Sequence, residues 1–454
     1  MKPVLFEFNK SNEHLSSHSG LALIGALLER TQLKKRLSEK ELTCCQEPII
    51  SHHDIVYSMI GLLCIGKPHY DAIEIFRGDP FFTNSLGIET CPSAPTLRQR
   101  LDMVRNAFDT IIKEESAKLI NCTAPRITPI SSSRGEYVPV DSDVSPFDNS
   151  KTNKEGVSRT YKGCDGYAPN FAYIGREGYL VNIELREGKQ HCQKGTPKFL
   201  RESLNYAKTI VKNDKLLVRM DAGNDSIDNI KVCQSEKVDW LIKRNMRREK
   251  PETWLEIARQ HGHKACSREG KTVWKGTTFR VVEGFEESLR IIFSVTERTV
   301  TSHGQLLLLP EIEVETYWTS LAVNPCEVID IYHQHGECEQ YHSELKTDMG
   351  LERLPSEYFS TNAMVMTIGM LAYNLLRLCG QESLREDNGN IVQRPRFRRK
   401  ASRRRLRTVM QDLMYMSCKI THHARKWFIS FGRYSHWSKV WLNIYTRFRE
   451  PVTA

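Results

Sequence analysis

The sequence predicts an α/β fold, a mixed sheet with flanking helices, preceded by a helical domain and interrupted by a β-rich insertion. Three observations predict it. Downstream of Glu136, segments of period 2 and period 3.6 follow one another as strand, hairpin, helix, strand, helix, strand. The roughly 125 residues before that point carry only helical spacing of apolar positions. Between about Met246 and Val323 the pattern turns β-rich, and after it helical spacing returns.

The N-terminal helices come in three runs. In GLALIGALLERTQLKKRL, Gly20 to Leu37, apolar residues recur at helical spacing and meet a basic end. Asp54 is the candidate cap of DIVYSMIGLLCIG, which Gly66 closes. Ser93 to Thr96 opens LRQRLDMVRNAFDTIIKEESAKLI, with Arg98 and Arg100 in its first turns, where a helix can enter a DNA groove. An ordinary helical bundle fits that pattern equally well. Next, YVPVDSDVS alternates as a strand, FDNSKTNKEGVSRTYKGCDGY is a polar loop, and NFAYIGREGYLVNIELREG is a hairpin around Gly175–Gly178. The helix PKFLRESLNYAKTIVK, the strand LLVRMD ending at Asp221, the helix DSIDNIKVCQSEK and the strand VDWLIKR complete the alternation. The insertion contains KTVWKGTTFRVVEGF, SLRIIFSVTER and IEVETYWTSL. After it, PCEVIDIYHQHGECEQYHSELK and YFSTNAMVMTIGMLAYNLLRLCG read as helices, ESLREDNGN as a linker, and the remainder as helical and aromatic, with Trp427, Trp437 and Trp441.

A chain of 454 residues can bury a large core and hold several domains. Its net charge of +10 points weakly to a polyanionic partner. The charge is concentrated: RPRFRRKASRRRLR, Arg394 to Arg407, has nine basic side chains and no acid, either a solvated tail or a phosphate-contacting segment. Thirteen cysteines, an odd number with no C-x-x-C, argue against a disulfide framework or zinc finger. His261, His263 and Cys266 form a lone H-x-H-x-x-C without an evident fourth ligand. The N-terminus lacks an apolar signal core, and no apolar run reaches the ~18 residues of a membrane span, so a soluble, non-secreted protein with reduced thiols is expected. No GxxxxGK[ST] occurs, so nucleotide hydrolysis is not indicated.

Reactive groups in open sheets collect at strand ends. Asp143 or Asp141 ends the first strand, and Asp221 ends LLVRMD. Asp141 and Asp143 share a strand face, so alternation alone does not choose between them. A third carboxylate on an adjoining helix would complete an oxygen-rich site for hard cations. In YHQHGECEQYHSELKTDMG, Tyr332 to Gly350, read as one helix at ~100° per residue, Tyr332, His335, Glu339 and Lys346 fall within roughly 60°. Glu337 and Glu344 point elsewhere on that wheel.

These residues carry a resemblance. Tyr332, His335, Glu339 and Lys346 resemble the Y-x2-R-x3-E-x6-K signature of DDE transposases of the IS-four superfamily, with His335 where arginine is usual. Residues Val138 to His191, RMDAGNDS, LKTDMGLERLPSEYF, LAYNLLRL and SAPTLRQRLD resemble the IS-thirteen-eighty branch of bacterial insertion-sequence transposases. The resemblance implies an RNase H-like core split by the β insertion, with Asp143, Asp221 and Glu339 holding two Mg²⁺ or Mn²⁺ ions. Asp143 is preferred because Asp143-Val144-Ser145 resembles the family's D-x-[ST].

It also implies cut-and-paste DNA transposition: hydrolysis at the transposon ends, then attack of the freed 3′-hydroxyl on a phosphodiester, each an in-line displacement at phosphorus. Tyr332, His335 and Lys346 would position DNA phosphates. Lys162 and Arg219 are further candidate DNA contacts. Trp274 and Trp318 are candidates for catching a flipped base, against the commoner role of core tryptophan. Arg403, Arg404 and Arg405 would add sequence-independent affinity. The division expected is an N-terminal helical DNA-binding domain (1–130), the core (131–245 and 326–382), the insertion (246–325) and a basic helical C-terminal region (383–454). Double-stranded DNA, a homodimer on that DNA, no membrane, and a bacterial cytoplasmic setting near the nucleoid follow as expectations. The rivals are a structure-specific nuclease and a co-opted DNA-binding protein on the same core.

Overall fold

The computed structural model describes residues 3–42, 48–301, 305–385 and 401–451. Most of the expected linker and Arg394 to Lys400 of the basic run lie outside the described residues. The backbone forms two compact units, one of residues 104–374, the other of residues 1–103 with 375–454. This division differs from the linear one expected, because the two ends of the chain share a unit.

The middle unit is built on one sheet. Its strands are β1 (Gly135–Val144), β2 (Asn170–Ile174), β3 (Tyr179–Glu184), β4 (Leu216–Met220), β5 (Asp239–Lys243), β6 (Gly262–Arg268), β7 (Lys271–Arg280), β8 (Leu289–Val300) and β9 (Leu306–Thr319). They lie in the order β6-β7-β8-β9-β5-β4-β1-β2-β3, and the short strand Ile130–Ser132 pairs with the start of β1. The pairs β1–β4 and β4–β5 are parallel; β1–β2, β2–β3, β5–β9 and the insertion ladder are antiparallel. The insertion therefore continues the core sheet, with β9 bonded to β5.

β1 is flanked on both sides, so its apolar residues Val138, Val140 and Val144 are buried, and so are the polar Asp141 and Ser142. The β2–β3 hairpin turns on Gly175 and Gly178, at φ +71° and +69°, which only glycine adopts without strain. A Cβ at Gly178 would stand 2.5 Å from the Tyr341 ring. Helix α1 (Asp109–Thr123) packs on α2 (Thr196–Ile210). α2 buries Phe199, Leu200, Leu204, Ala207 and Ile210, one stripe at helical spacing. α3 (Ile227–Ser235) makes the crossover from β4 to β5.

Two departures from expectation are local. The insertion holds a helix, α4 (Pro251–His261), which buries Trp254, Leu255 and Ala258 against the ladder. The run from Tyr332 is not one regular helix: α5 (Pro325–His333) leads into a tight 3₁₀ turn, Gln334–Glu337, then α6 (Cys338–Ser343) and a wide π turn, Glu344–Asp348. Asn324 caps α5 by accepting from the Glu327 amide, and Pro325 sits in its first turn. α7 (Phe359–Ser383) corrects a further expectation: it is long and apolar enough to cross a membrane, but that stretch is 94% buried inside the protein.

In the unit formed by the chain ends, the first run is two helices, Leu21–Leu28 and Leu33–Glu39. Ser51, not Asp54, caps His52–Cys64; the Asp54 carboxylate accepts from the Glu89 and Thr90 amides instead. The C-terminal region expected to be helical contains a hairpin, Cys418–His423 with Lys426–Phe431, to which His14–Ser16 adds a third strand. Helix Ser438–Arg449 closes it, and Arg30 donates to the carbonyls of Arg447, Phe448 and Glu450 at its end.

One buried ion pair ties the middle unit's elements together. Arg219 of β4 grips Asp141 of β1 at both carboxylate oxygens, 2.6 and 2.7 Å, and donates from Nη1 to the Ile331 carbonyl of α5 at 2.8 Å. Both side chains are almost wholly buried. Breaking such a pair from one side leaves an uncompensated buried charge, at a cost of about 3–5 kcal/mol. Arg219→Met is expected to lower the urea midpoint by that measure, and Asp141→Asn added to it to recover part of the loss; an unchanged midpoint in the single variant would contradict the role given to the pair.

Candidate active site

The parallel register pairs Asp141 with Arg219 and Ser142 with Met220. One step on, the same alignment brings Asp143 and Asp221 side by side at the C-terminal ends of β1 and β4, on strands about 4.8 Å apart. Their electrostatics agree. Burial, and then the charge of Asp143, push the Asp221 carboxyl above the usual range against the pull of His335 and Asn224. Burial also pushes Asp143 up, but the hydrogen bond of His342, with His335 and the Val144 amide, outweighs it, and the net shift is downward. Asn224 Nδ2 donates to Asp221 Oδ1 at 2.9 Å.

Two sequence-distant acids held together without a matched cationic side chain are the donor set that a hard divalent cation fits. Asp141 does not belong to it. Its oxygens are held by Arg219, so of the two acids on that strand face Asp143 is the available one. Asp141, His335 and Cys338 do offer ligand atoms within 4.8 Å of one another. The buried Arg219 guanidinium opposes a second cation there, and burial holds the Cys338 thiol well above its usual pKa.

Glu339 lies on α6 between His335, four residues before, and His342, three after. His335 acts electrostatically on both aspartates, and His342 Nε2 stands 3.0 Å from Asp143 Oδ2, so the chain segment that carries Glu339 runs beside the two acids. Its side chain is exposed. Oxygens of Asp143, Asp221 and Glu339 are not gathered within 4.8 Å of one another as the Asp141 group is. Closing three carboxylates further brings like charges together, a cost already visible in the raised Asp221.

Around the acids, Tyr332 stacks on His335 with ring centroids 5.8 Å apart. His335 is buried, and its Nε2 has no hydrogen-bond partner. Lys346 Nζ donates to Ser145 Oγ and the Pro146 carbonyl, both at 2.7 Å, and burial draws its pKa down. Lys162 is exposed and near enough to act on Lys346. Tyr161 donates to the Val144 carbonyl at 3.0 Å.

The chain matches the family described as "Transposase DDE domain group 1" over residues 3–451. It belongs to that family. Curated proteins offer no match. Among solved structures the chain is similar to a piggyBac transposase synaptic complex with hairpin DNA, at 12% identity and a TM-score of 0.39, over 88% of this chain and 80% of that one. That likeness is too loose to place any residue.

Several residues of this DDE transposase stand apart from the roles expected of them. Arg219 is 2% exposed and bound to Asp141 and Ile331, so it is unavailable to DNA. Arg100 is buried, bonded to the Ile50 carbonyl and His52 Nδ1, whereas Arg98 is exposed. Trp318 is buried with Nε1 donating to Asp225 at 2.9 Å and the Arg244 guanidinium 4.8 Å over its ring; Trp274 is buried under Arg259. Neither is open to a flipped base. Arg404 is buried over the Trp437 ring and bonded to Asp412 and Ser383, while Arg405 is exposed and Arg403 half-buried. The sequence reading missed His342 and Asn224. On the regular helical wheel His342 falls only about 20° beyond His335, a signal present but outside the motif.

Asp221's raised pKa has a sign consequence. The folded protein holds that proton more tightly than the unfolded chain, so its contribution is favourable at low pH and is lost as pH rises through the raised value. At neutral pH, without divalent cation, Asp221→Asn is therefore expected to raise the melting temperature by about 1–3 °C. Mg²⁺ or Mn²⁺ is expected to raise the melting temperature of the parent and not that of the variant. A lower melting temperature, with cation stabilisation intact, would contradict the assignment.

Proposed function

We propose that this protein is a cut-and-paste DNA transposase of the insertion-sequence type, in which Asp143, Asp221 and Glu339 hold a pair of Mg²⁺ or Mn²⁺ ions. The observation that carries the proposal is the adjacency of Asp143 and Asp221 at the ends of two parallel strands, in a chain of a DDE family. The strand order β3-β2-β1-β4-β5, an antiparallel meander followed by two parallel strands, supports an RNase H-like reading of the core, and β6 to β9 with α4 the reading of an insertion. The motifs shared with the IS-thirteen-eighty branch support a bacterial, cytoplasmic setting.

Bound cations would activate the attacking hydroxyl and stabilise the leaving oxygen of each in-line displacement. The chain's own residues do the rest. Arg219 keeps Asp141 out of the site and fixes the strand register that pairs the two aspartates. Lys162, exposed, and Lys346, at the loop after β1, offer positive charge to a phosphodiester beside the acids. Tyr332 and His335 form a stacked wall next to them. Arg98 and Arg405, exposed in the other unit, are candidate phosphate contacts for the DNA flanking the cut. Each transposon end needs one such site, so a homodimer on the DNA is the expected working form, with no membrane involved.

The test uses full-length protein with DNA from the borders of its own coding region, supplied intact and as a pre-cut 3′ end. Parent protein should cut the first and join the second to target DNA. Asp143→Asn, Asp221→Asn and Glu339→Gln should each reduce both reactions by at least about 100-fold, near 2.7 kcal/mol of transition-state stabilisation, with DNA affinity unchanged. Cutting without joining would favour the structure-specific nuclease, and binding without either a co-opted DNA-binding protein. Full activity in Glu339→Gln, with loss in Glu344→Gln, would overturn the choice of the third acid.

A further inference from the structure

We infer that His342 is a positioning residue for Asp143, held in register by Tyr173, and that this Tyr173–His342–Asp143 chain aims one carboxylate oxygen at the cation site. The inference rests on the metal-dependent reading above and adds a residue that the family signature does not contain.

Three observations carry it. His342 Nε2 lies 3.0 Å from Asp143 Oδ2, and its Nδ1 lies 3.1 Å from the Tyr173 hydroxyl. The ring is buried, seated against Phe171 with centroids 4.8 Å apart and against Tyr173 at 5.5 Å, so it has little freedom to rotate. Tyr173 is wholly buried on β2, the strand paired with β1, where Asp141 and Tyr173 are partners in the register.

The tautomer follows from what each partner can do. An ionised carboxylate only accepts, so Nε2 must carry the hydrogen it shares with Asp143. In a neutral ring Nδ1 is then bare and accepts from the Tyr173 hydroxyl. Asp143 thereby sets the tautomer, and the Tyr173 hydroxyl, bonded to the other nitrogen, holds the ring in that orientation. With Oδ2 engaged by His342, the carboxyl plane of Asp143 is set, and the acceptor positions not taken by His342 and the Val144 amide are left for a cation. Outer partners of this kind orient ligands, and losing one typically costs about 10–100-fold in metal affinity. The placement also explains the geometry of the helix. His342 is one turn past Glu339, so the residue that steadies the first acid sits next to the one that supplies the third.

The test measures Mn²⁺ binding to the full-length protein by electron paramagnetic resonance, without DNA and without turnover. Four variants accompany the parent: Asp143→Asn, His342→Leu, His342→Gln and Tyr173→Phe. His342→Leu should weaken Mn²⁺ binding by about 10–100-fold while DNA affinity stays within about threefold. His342→Gln, which keeps an N–H donor near the Nε2 position, should recover most of the loss, a rescue that a merely structural role would not give. Tyr173→Phe should weaken binding a few-fold by removing the anchor on Nδ1 that holds the ring in place. Unchanged Mn²⁺ affinity in His342→Leu, or a His342→Gln variant no better than His342→Leu, would overturn the inference. If His342→Leu does not fold, Tyr173→Phe decides, and an unchanged affinity there would overturn it. Failure of the underlying reading looks different: Mn²⁺ binding to the parent would then be absent or indifferent to Asp143→Asn.

Discussion

The bidentate pair between Asp141 and Arg219 is the constraint on which the rest of the middle unit depends. It joins neighbouring parallel strands in one register, and the third donor of the guanidinium reaches the Ile331 carbonyl and so fixes the helical run that follows. Two residues further along each strand, the same register delivers Asp143 and Asp221. The residues just past Ile331 bring His335 and His342 to the same two acids. A buried ion pair is a weak source of stability, but here it couples three segments far apart in sequence, and a registry role is the better attested use of such pairs.

Next to that neutralised pair stands an unneutralised one. The contrast is chemical. Asp141 is matched by a guanidinium, whereas Asp143 has a histidine and Asp221 has an asparagine, and the charge of Asp143 helps to raise Asp221. Charge left uncompensated in a partly buried place marks a candidate functional site. In a member of the DDE family, the compensation we propose is a divalent cation, with Glu339, exposed on the segment between His335 and His342, as the third acid.

Much of this was legible in the sequence, for identifiable reasons. Strands such as LLVRMD and VDWLIKR are short apolar runs, and their alternation with helices pointed to a mixed sheet flanked by helices. Asp221 and Asp143 stood out because strand ends are where an open sheet exposes side chains. What was not legible depends on contacts between distant residues. Nothing local to Arg219 marks it as the partner of Asp141 rather than of DNA. Trp274 and Trp318 look alike in sequence whether they are buried or presented; in the fold both are buried, under the Arg259 and Arg244 guanidinium groups, with Trp318 bonded to Asp225. The basic tail conceals the burial of Arg404, which follows from Trp437 and Asp412. The C-terminal hairpin was missed because its alternation, around Trp427 and Ile429, is short and interrupted by charge. The single regular helix read for Tyr332, His335, Glu339 and Lys346 is broken by a 3₁₀ turn at Gln334–Glu337 and a π turn at Glu344–Asp348, which local spacing does not announce.

The most direct measurement is the anomalous scattering of Mn²⁺ in crystals of the full-length protein. The account predicts density bridging the side chains of residues 143 and 221, with the glutamate at 339 drawn in, and none beside the guanidinium of residue 219. Manganese bound instead by Asp141, His335 and Cys338, or absent from the ends of both strands, would contradict it.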